Sequence, residues 1–323
     1  MTPSMSPTNI FSPAATPARW IAELSQLVLS VTGAIFVVVA GLLCYCIWKY
    51  RRRTAADDWR EPPQVYGSTQ IELAWTIIPV LIVLLLFLSS ARVIAATQRA
   101  DPGRNALQVD VVGHQFWWEY RYPGLGIVTA NELHVPASDP ARPTPTVLNL
   151  YSADTDHSFW VPRLAGKTDL IPNHPNTMWI DPAEPGLYLG QCAQYCGTQH
   201  AKMLLRIYVD TPEDFARWVE AQRRPARVVD QDHVSRGREI FQRTACINCH
   251  AVSGTPANGR FGPDLTHLMS RETLAAGIVL NNRENLRQWI QNPDVIKTGS
   301  LMPAMALDEA DLDAVTDYLL TLR

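Results

Sequence analysis

The sequence has almost no net charge. Its 28 lysine and arginine residues are nearly balanced by 31 aspartate and glutamate residues, which leaves a formal charge of −3 at pH 7. Proteins that bind nucleic acid neutralise phosphates with a surplus of basic side chains. The charge balance therefore argues against a nucleic-acid partner, and the indications of function lie in local motifs.

Charged residues are missing from two long apolar segments near the N-terminus. Residues 24–48 are 25 positions without a charge, and residues 73–91 are another 19. A helix needs about 20 apolar residues to cross the hydrocarbon core of a bilayer. Both segments therefore predict membrane-spanning helices, rather than core helices of a soluble domain, and together a helix hairpin over residues 21–97.

The loop between these segments is basic. Its cations are Lys49, Arg51, Arg52, Arg53 and Arg60. Basic loops stay on the cytoplasmic side of a membrane, so both termini and everything after about residue 95 are expected on the periplasmic side of a bacterial plasma membrane. The N-terminus lacks the pattern of a cleaved signal peptide, and residues 1–20 are expected to form a flexible tail.

Beyond the second span the long apolar runs give way to short alternating ones. Pro and Gly clusters separate these runs, which are residues 107–112, 146–150, 177–180 and 204–209. Short alternating runs with turn signals between them predict an all-β sandwich or small barrel, here over residues 98–222. Thr211 and Pro212 are suited to the N-cap and first position of a short helix near its end.

The C-terminal part predicts a separate helical domain. Residues 223–231, with two basic pairs and Pro225, are expected to be a linker, and residues 232–323 an all-α domain. Acidic residues at Asp308 and Glu309 are typical of a helix start. One apolar stripe follows in that helix, formed by Leu312, Val315 and Leu319.

No cysteine is left over for a structural disulfide. Cys44 and Cys46 lie inside the first apolar segment, where they are expected as small apolar residues, and the other four fall in two ligand motifs. The first motif combines two thiolates, an imidazole and a thioether within twelve residues: Cys192, Cys196, His200 and Met203.

Cysteines four apart on one folded loop can bring both sulfurs to one point. A second imidazole must come from elsewhere, and His157, at the end of a predicted strand, is the best candidate. Soft sulfur donors with imidazole favour copper in an electron-transfer role. A disulfide, or a zinc site built from both cysteines and both histidines, is the alternative, although zinc gives no reason for Met203.

The second motif is Cys246-Ile-Asn-Cys249-His250, the pattern for covalent attachment of a c-type haem. The sixth iron ligand is expected to be a downstream methionine. Met302, which is followed by proline, is the first choice; Met305 and, less so, Met269 are the alternatives.

The chain resembles subunit II of haem–copper cytochrome c oxidases, in the caa3-type form with a cytochrome c domain fused at the C-terminus. The resemblance covers nearly the whole chain from the first span onward. It is carried by the two motifs above and by three further stretches: Gln70 to Pro79 (QIELAWTIIP), Gly113 to Tyr120 (GHQFWWEY) and Lys167 to Pro172 (KTDLIP).

The resemblance implies a cupredoxin-like domain with a dinuclear copper A centre. Its ligands would be His157, Cys192, Cys196, His200 and Met203, with the backbone carbonyl of Gln194. The class I cytochrome c domain would use Cys246, Cys249, His250 and Met302, with the Pro263 carbonyl supporting the histidine. The implied partners are oxidase subunits I and III and a reduced cytochrome c or similar donor.

Two positions depart from the family pattern. Many members have Glu where Gln194 stands, and that carboxylate helps to hold a magnesium or manganese ion, so the carboxylate ligand of that second site is lost. Phe116 stands where a tryptophan often receives electrons from a docked cytochrome c. Trp117 and Trp118 are alternatives for electron uptake, or they simply pack against the barrel.

Glu72, at the edge of the second span, matches a glutamate at the start of a proton-uptake path into subunit I. A solvated acid at a helix N-terminus is the other interpretation. The function implied is electron delivery within a proton-pumping cytochrome c oxidase. The alternatives are the copper A subunit of a nitric oxide reductase and a membrane-anchored electron-transfer protein without a fixed enzyme partner.

Overall fold

The computed structural model describes residues 8–53, 64, 66–98, 106–226, 229 and 231–323. The basic residue Arg60, the connector at 99–105 and part of the linker at 223–231 lie outside these ranges. Residues 20–97 form one unit, and residues 98–323 together with the first 19 form another.

The first unit consists of two long helices. Helix α1 spans Thr16–Tyr50, with its first turn in the other unit, and helix α2 spans Thr69–Gln98. Both carry windows with a mean hydropathy of 2.6, and none of the residues in those windows is buried. A core helix of a soluble protein buries its apolar side chains, so this exposure agrees with the predicted membrane spans.

The N-terminal segment differs from the predicted flexible tail wherever it is described. The Ala14 amide donates to the Arg163 carbonyl at 2.7 Å, and the Thr16 amide donates to the Asp181 carboxylate at 2.7 Å. The first amides of a helix lack intrahelical partners and favour a negative group. The Asp181 carboxylate supplies that group, which explains why helix α1 begins several residues earlier than the apolar run.

Ten strands form the domain that follows: β1 Gln108–His114, β2 Trp117–Tyr122, β3 Ile127–Ala130, β4 Glu132–Pro136, β5 Thr146–Ser152, β6 His157–Trp160, β7 Thr168–Leu170, β8 Asn176–Ile180, β9 Gly186–Cys192 and β10 Leu204–Asp210. They make two five-stranded sheets, in the orders β3-β2-β1-β5-β8 and β4-β10-β9-β6-β7. Pairing is parallel between β1 and β5 and between β4 and β10, and antiparallel elsewhere in both sheets.

The two sheets bury one face each in a common core. Strand β10 alternates along its length, with Leu205, Ile207 and Val209 buried and their neighbours partly exposed. This period-2 pattern is that of a strand with one face on the core. The predicted β domain is confirmed, including its cupredoxin-like class, and so are the four predicted strands.

Helix α3, Pro212–Gln222, closes the β domain. The Thr211 side chain accepts a hydrogen bond from the Asp214 amide and Pro212 takes the first helical position, so the predicted cap is confirmed. Such a cap satisfies an amide that has no partner within the helix.

The C-terminal domain is helical with one short ladder. Its elements are α4 Asp232–Arg243, α5 Cys246–Cys249, α6 Arg283–Gln291, α7 Glu309–Leu319, β11 Thr273–Leu274 and β12 Val279–Leu280. Asp308 caps helix α7, and the predicted stripe in that helix is buried. Helices α4 and α7 cross at Gly237, where an added Cβ would lie 1.9 Å from the Ala314 carbonyl oxygen.

Candidate metal centre and haem pocket

Two thiols stand at the centre of the first site. Cys192 ends strand β9, Cys196 lies in the loop after it, and their Sγ atoms are 3.9 Å apart. A disulfide requires a sulfur–sulfur distance of about 2.05 Å, so the pair is not bridged. His157 begins strand β6, rather than ending a strand as expected, and pairing of β6 with β9 brings its Nδ1 to 3.9 Å from the Cys192 Sγ.

The loop after Cys196 supplies further donors. A short 3-10 turn at His200–Lys202 folds the loop back, which places the His200 Nδ1 3.7 Å and the buried Met203 Sδ 3.9 Å from the Cys196 Sγ. The Gln194 carbonyl oxygen lies 3.2 Å from the Cys192 Sγ. The other four donors predicted from the sequence are therefore gathered around the two sulfurs, which makes six donors in all.

This donor set suits two soft metal ions better than one zinc ion. A structural zinc ion takes four ligands in a tetrahedron, and six donors are gathered here, the two sulfurs included. Thiolate, thioether and imidazole are the ligands that copper prefers in electron-transfer sites. The residues present therefore fit a dinuclear copper centre.

The electrostatics of the thiol pair also favour a bound cation. The Cys196 thiol beside it lowers the pKa of Cys192 to about 3, whereas Cys192 raises the pKa of Cys196. Like charges this close cannot both ionise without a compensating charge. A metal ion supplies that charge and allows both sulfurs to bind as thiolates.

Asp154 is a residue to which the sequence reasoning gave no role. One oxygen of its carboxylate lies 2.8 Å from the His157 Nε2, and the other accepts a hydrogen bond from the Gln115 amide at 2.6 Å. Burial acts against a charged imidazole, but the Asp154 and Cys192 contacts together raise the pKa of His157. Because Asp154 engages Nε2, the Nδ1 atom is directed at the sulfurs.

A tight contact behind the imidazole also fixes its place. A Cβ at Gly113 would lie 2.8 Å from the His157 Cδ2. Two features of the sequence could have indicated these supports of His157. One is a carboxylate three residues before the histidine, and the other is a glycine inside a strand, which often marks a position where another group approaches the backbone closely.

The second site is a cavity in the helical domain with a volume of about 1270 Å³, including its open mouth. Cys246, Cys249 and His250 face it, and apolar side chains such as Leu265, Leu286 and Ile290 line it. The His250 Nδ1 lies 2.8 Å from the Pro263 carbonyl oxygen, as the resemblance implies, which leaves Nε2 free for a metal. Burial lowers the pKa of His250, and a neutral imidazole is the form that binds metals. These residues fit a covalently held haem.

Met302 and Met305 both line this cavity, whereas Met269 is not among its described lining residues. Met305 and Met269 also pack against the apolar core of the domain. A methionine committed to core packing is less able to turn toward an iron, which favours Met302.

The aromatic run separates into two roles. Phe116 and Trp117 line the same cavity as the haem-binding motif, and Trp117 stacks on His114 with ring centroids 4.2 Å apart. Trp118 is fully buried and meets His157 and Phe159 edge-on. For Trp118 the geometry favours packing behind a metal ligand over electron uptake from outside.

Phe116 and Gln115 contact both candidate sites. The Gln115 Nε2 donates to the Cys196 carbonyl at 2.5 Å. A Cβ at Gly197, which has φ +130°, would lie 3.0 Å from the Phe116 ring. The turn between β1 and β2 therefore contacts both the haem cavity and the thiol loop.

Glu72 lies in the first turn of α2, exposed, and its amide donates to the Ser68 carbonyl at 2.9 Å. Both interpretations of this acid stay predictions.

Three family models match the chain. They are described as cytochrome c oxidase subunit II, transmembrane domain (residues 4–93), cytochrome c oxidase subunit II, periplasmic domain (residues 140–210), and cytochrome c (residues 234–323). Two similar relatives are named cytochrome c oxidase subunit 2. The one from Alkalihalophilus pseudofirmus is 34% identical over 96% of this chain and 90% of its own length. The one from Bacillus sp. strain PS3 is 34% identical over 84% of this chain and 80% of its own length.

Among solved structures, the periplasmic domain of subunit II of cytochrome oxidase from Bradyrhizobium japonicum is 28% identical to this chain. It aligns over 38% of this chain and 96% of its own length, with a TM-score of 0.35.

Proposed function

Because the chain belongs to the cytochrome c oxidase subunit II family, we propose that it holds a covalent haem c and a dinuclear copper A centre within a membrane-bound oxidase. When bound, these groups carry single electrons from an outside donor toward subunit I, where oxygen is reduced to water and protons are pumped. The observation that carries the proposal is the cluster of six donors, two of them thiols, beside a cavity with a haem-attachment motif.

Each protein donor has a place in this proposal. Cys192 and Cys196 would hold the copper pair through their thiolates, and His157, His200, Met203 and the Gln194 carbonyl would supply the remaining ligands. The burial of Cys192, Cys196, His157 and Met203 excludes water, which limits the solvent reorganisation that would slow a change in charge. The ligands stand on strands and a short loop, so they hold their positions.

In the helical domain, Cys246 and Cys249 would attach the haem through thioethers, and His250 and Met302 would bind its iron. The Pro263 carbonyl orients His250 through its Nδ1 proton, a contact typical of metal-binding histidines. Phe116 and Trp117 line the haem cavity, so they are the residues through which electrons would leave it.

The placement in the membrane follows from the same family membership. The chain is anchored by two spanning helices, and we infer that its β and helical domains lie on the periplasmic side of a bacterial plasma membrane. Subunit I is the immediate electron acceptor, subunit III a further neighbour, and reduced cytochrome c the donor. We further propose that Glu72 lies on the cytoplasmic edge of its span, at the start of a proton path into subunit I.

The test is to purify the assembly from membranes with the natural chain and with Cys196→Ser. The natural assembly is expected to contain a large multi-span haem protein, to consume oxygen with reduced cytochrome c, and to show the seven-line copper signal of a delocalised pair. Cys196→Ser should lose that signal and most oxygen uptake while the haem c spectrum remains.

Cys44→Ser, in the first span, is the matched control and should change neither readout. Copurification without a multi-span haem protein, or zinc in place of copper in elemental analysis, would overturn the proposal.

A further inference from the structure

Lys297 is a buried lysine between the two redox domains. It precedes Met302 by five residues in the helical domain, and only 3% of its surface is exposed. An ammonium group has three protons to donate, and Nζ uses all three on backbone carbonyls. The acceptors are Phe116 at 2.7 Å, Lys202 at 2.8 Å and Ala275 at 3.0 Å.

These acceptors come from three separate parts of the chain. Phe116 lies in the β1–β2 turn that lines the haem cavity, Lys202 lies between the metal-ligand candidates His200 and Met203, and Ala275 follows β11 of the helical domain. One side chain therefore ties two parts of the copper domain, the β1–β2 turn and the thiol loop, to the haem domain.

Residues next to Lys297 in the chain also contact the thiol loop. The Gln199 side chain donates to the Thr298 carbonyl at 2.5 Å, and the Lys202 Nζ donates to the Ile296 carbonyl at 3.2 Å. A Cβ at Gly299 would lie 2.9 Å from the Thr198 Oγ1. Residues 296–299, which lead to Met302, thus run directly along residues 198–202 of the thiol loop.

A buried ammonium is costly unless its protons are all bonded. Consistent with that cost, burial lowers the pKa of Lys297 to about 7. An apolar side chain would fill the space without this cost, but it could not hold three carbonyls from three segments at fixed distances. The geometry therefore indicates a role in positioning rather than simple filling of the core.

We propose that Lys297 is a positioning residue that clamps the haem domain onto the thiol loop and the Phe116 turn, so that electrons pass from haem to copper within a preformed contact. This inference rests on the proposed function. Domains joined by a linker move relative to each other by default, and electron tunnelling falls steeply with distance. A clamp that joins the haem domain to the thiol loop removes that motion.

The first experiment measures electron transfer inside the purified full chain loaded with haem and copper. A flash-driven reductant reduces the haem, and the rate of its reoxidation by copper is followed in buffers of increasing viscosity. The natural chain should show a rate that does not depend on viscosity. Lys297→Met should be about ten-fold slower and should slow further as viscosity rises, with the haem and copper spectra unchanged.

Lys167→Met, at an exposed lysine of the copper domain, is the control for loss of a positive charge and should behave as the natural chain. A Lys297→Met chain with the natural rate and no viscosity dependence would overturn the clamp while leaving the proposed function intact. Absence of the copper or haem signal from the natural chain would instead count against the proposed function.

The second experiment needs no variant, so it decides the matter if Lys297→Met does not fold. The full chain has four lysines, Lys49, Lys167, Lys202 and Lys297. Brief acetylation followed by peptide mapping should leave Lys297 unmodified while Lys167 reacts. Acetylation of Lys297 at the rate of Lys167 would show that the domains are not clamped in solution and would overturn the inference.

Discussion

The imidazole of His157 is held from the side opposite the thiols. The Asp154 carboxylate accepts a hydrogen bond from the Nε2 of His157. The backbone amides of Gln115 and Thr155 donate hydrogen bonds to the same carboxylate and so hold it in place. These contacts lower the pKa of Asp154 although burial acts in the other direction. A carboxylate in this position sets the tautomer of a metal-binding histidine and makes its other nitrogen a better ligand.

Asp154→Asn is therefore expected to weaken copper binding by about 10- to 100-fold, the usual effect of losing such a partner. Competition with a copper chelator measures the affinity, and the copper signal reports the geometry of the remaining centre. Asp156→Asn, two residues away and exposed, is the control and should bind copper as the natural chain does. Equal affinity in both variants would show that Asp154 does not orient the ligand.

Replacing each of the two methionines at the haem cavity is expected to have a different effect. Met302 lines the cavity and Met305 both lines it and packs on the core. Met302→Ala should remove the red absorption band of methionine-ligated ferric haem, and it should lower the haem potential because a thioether ligand raises it. Met305→Ala should keep the band. Because it deletes partly buried apolar surface, it should lower the free energy of unfolding of the haem domain by no more than about 2–5 kcal/mol. Loss of the band only in Met305→Ala would reverse the assignment.

For single residues, the sequence predicts the metal and haem ligands well, but it predicts poorly the residues that hold those ligands in position. Cys192, Cys196 and His200 stand close together in the chain, so their meeting follows from spacing alone. Lys297 meets Phe116 across 181 positions, and its residue type gives no sign that it is buried. Which carbonyls surround it depends on how two domains pack, and no local pattern encodes that.

Among the elements, the crossing of α4 and α7 depends on a single missing methyl group. Alanine in place of glycine stabilises an ordinary exposed helix by about 1 kcal/mol. At Gly237 the added Cβ would lie 1.9 Å from the Ala314 carbonyl oxygen and 2.5 Å from its carbon. Backbone atoms of a packed helix cannot give way as a flexible side chain can, so the helices would have to separate.

Gly237→Ala should therefore destabilise the haem domain by about 1–3 kcal/mol, the usual cost of overpacking. Loss of the haem Soret band on heating provides the measurement. Glu239→Ala, at an exposed position of the same helix, should stay within about 0.5 kcal/mol of the natural chain. A gain in stability for Gly237→Ala would mean that the crossing is looser than described.

Helices and strands can be predicted from the sequence where the residues that determine them are close together in the chain. The cap at Thr211 and Pro212, the stripe in α7 and the alternation of β10 all depend on neighbours within a few residues. The N-terminal tail was not predictable in this way. Residues 8–19 are ordered by Arg163 and Asp181, more than 140 positions away, and a Ser-, Thr- and Pro-rich composition gives no hint of those contacts.

Over the whole molecule, the two redox domains share a further contact, which Glu132 makes with residues 272 and 273. Glu132 of β4 is buried, and its carboxylate accepts from the Glu272 amide at 3.0 Å, the Thr273 amide at 2.9 Å and the Thr273 hydroxyl at 2.7 Å. Arg206 of β10 lies 3.7 Å from the same carboxylate. A residue on a strand of the copper domain thus accepts the hydrogen bonds of the donors at the start of β11 in the haem domain. This contact should make the two domains unfold together.

Glu132→Ala removes the acceptor and leaves buried donors of the haem domain unsatisfied, at a cost of about 1–3 kcal/mol for each group. In the natural full chain, the copper and haem absorption bands should disappear over one temperature range, because probes of a single cooperative unit coincide. In Glu132→Ala the haem band should be lost several degrees earlier than the copper band. Glu184→Ala, at an exposed glutamate of the copper domain, should keep the two transitions together. Coincident transitions in Glu132→Ala would mean that the coupling resides in other contacts of the interface, such as those of Lys297 and the ion pair between Arg206 and Glu272.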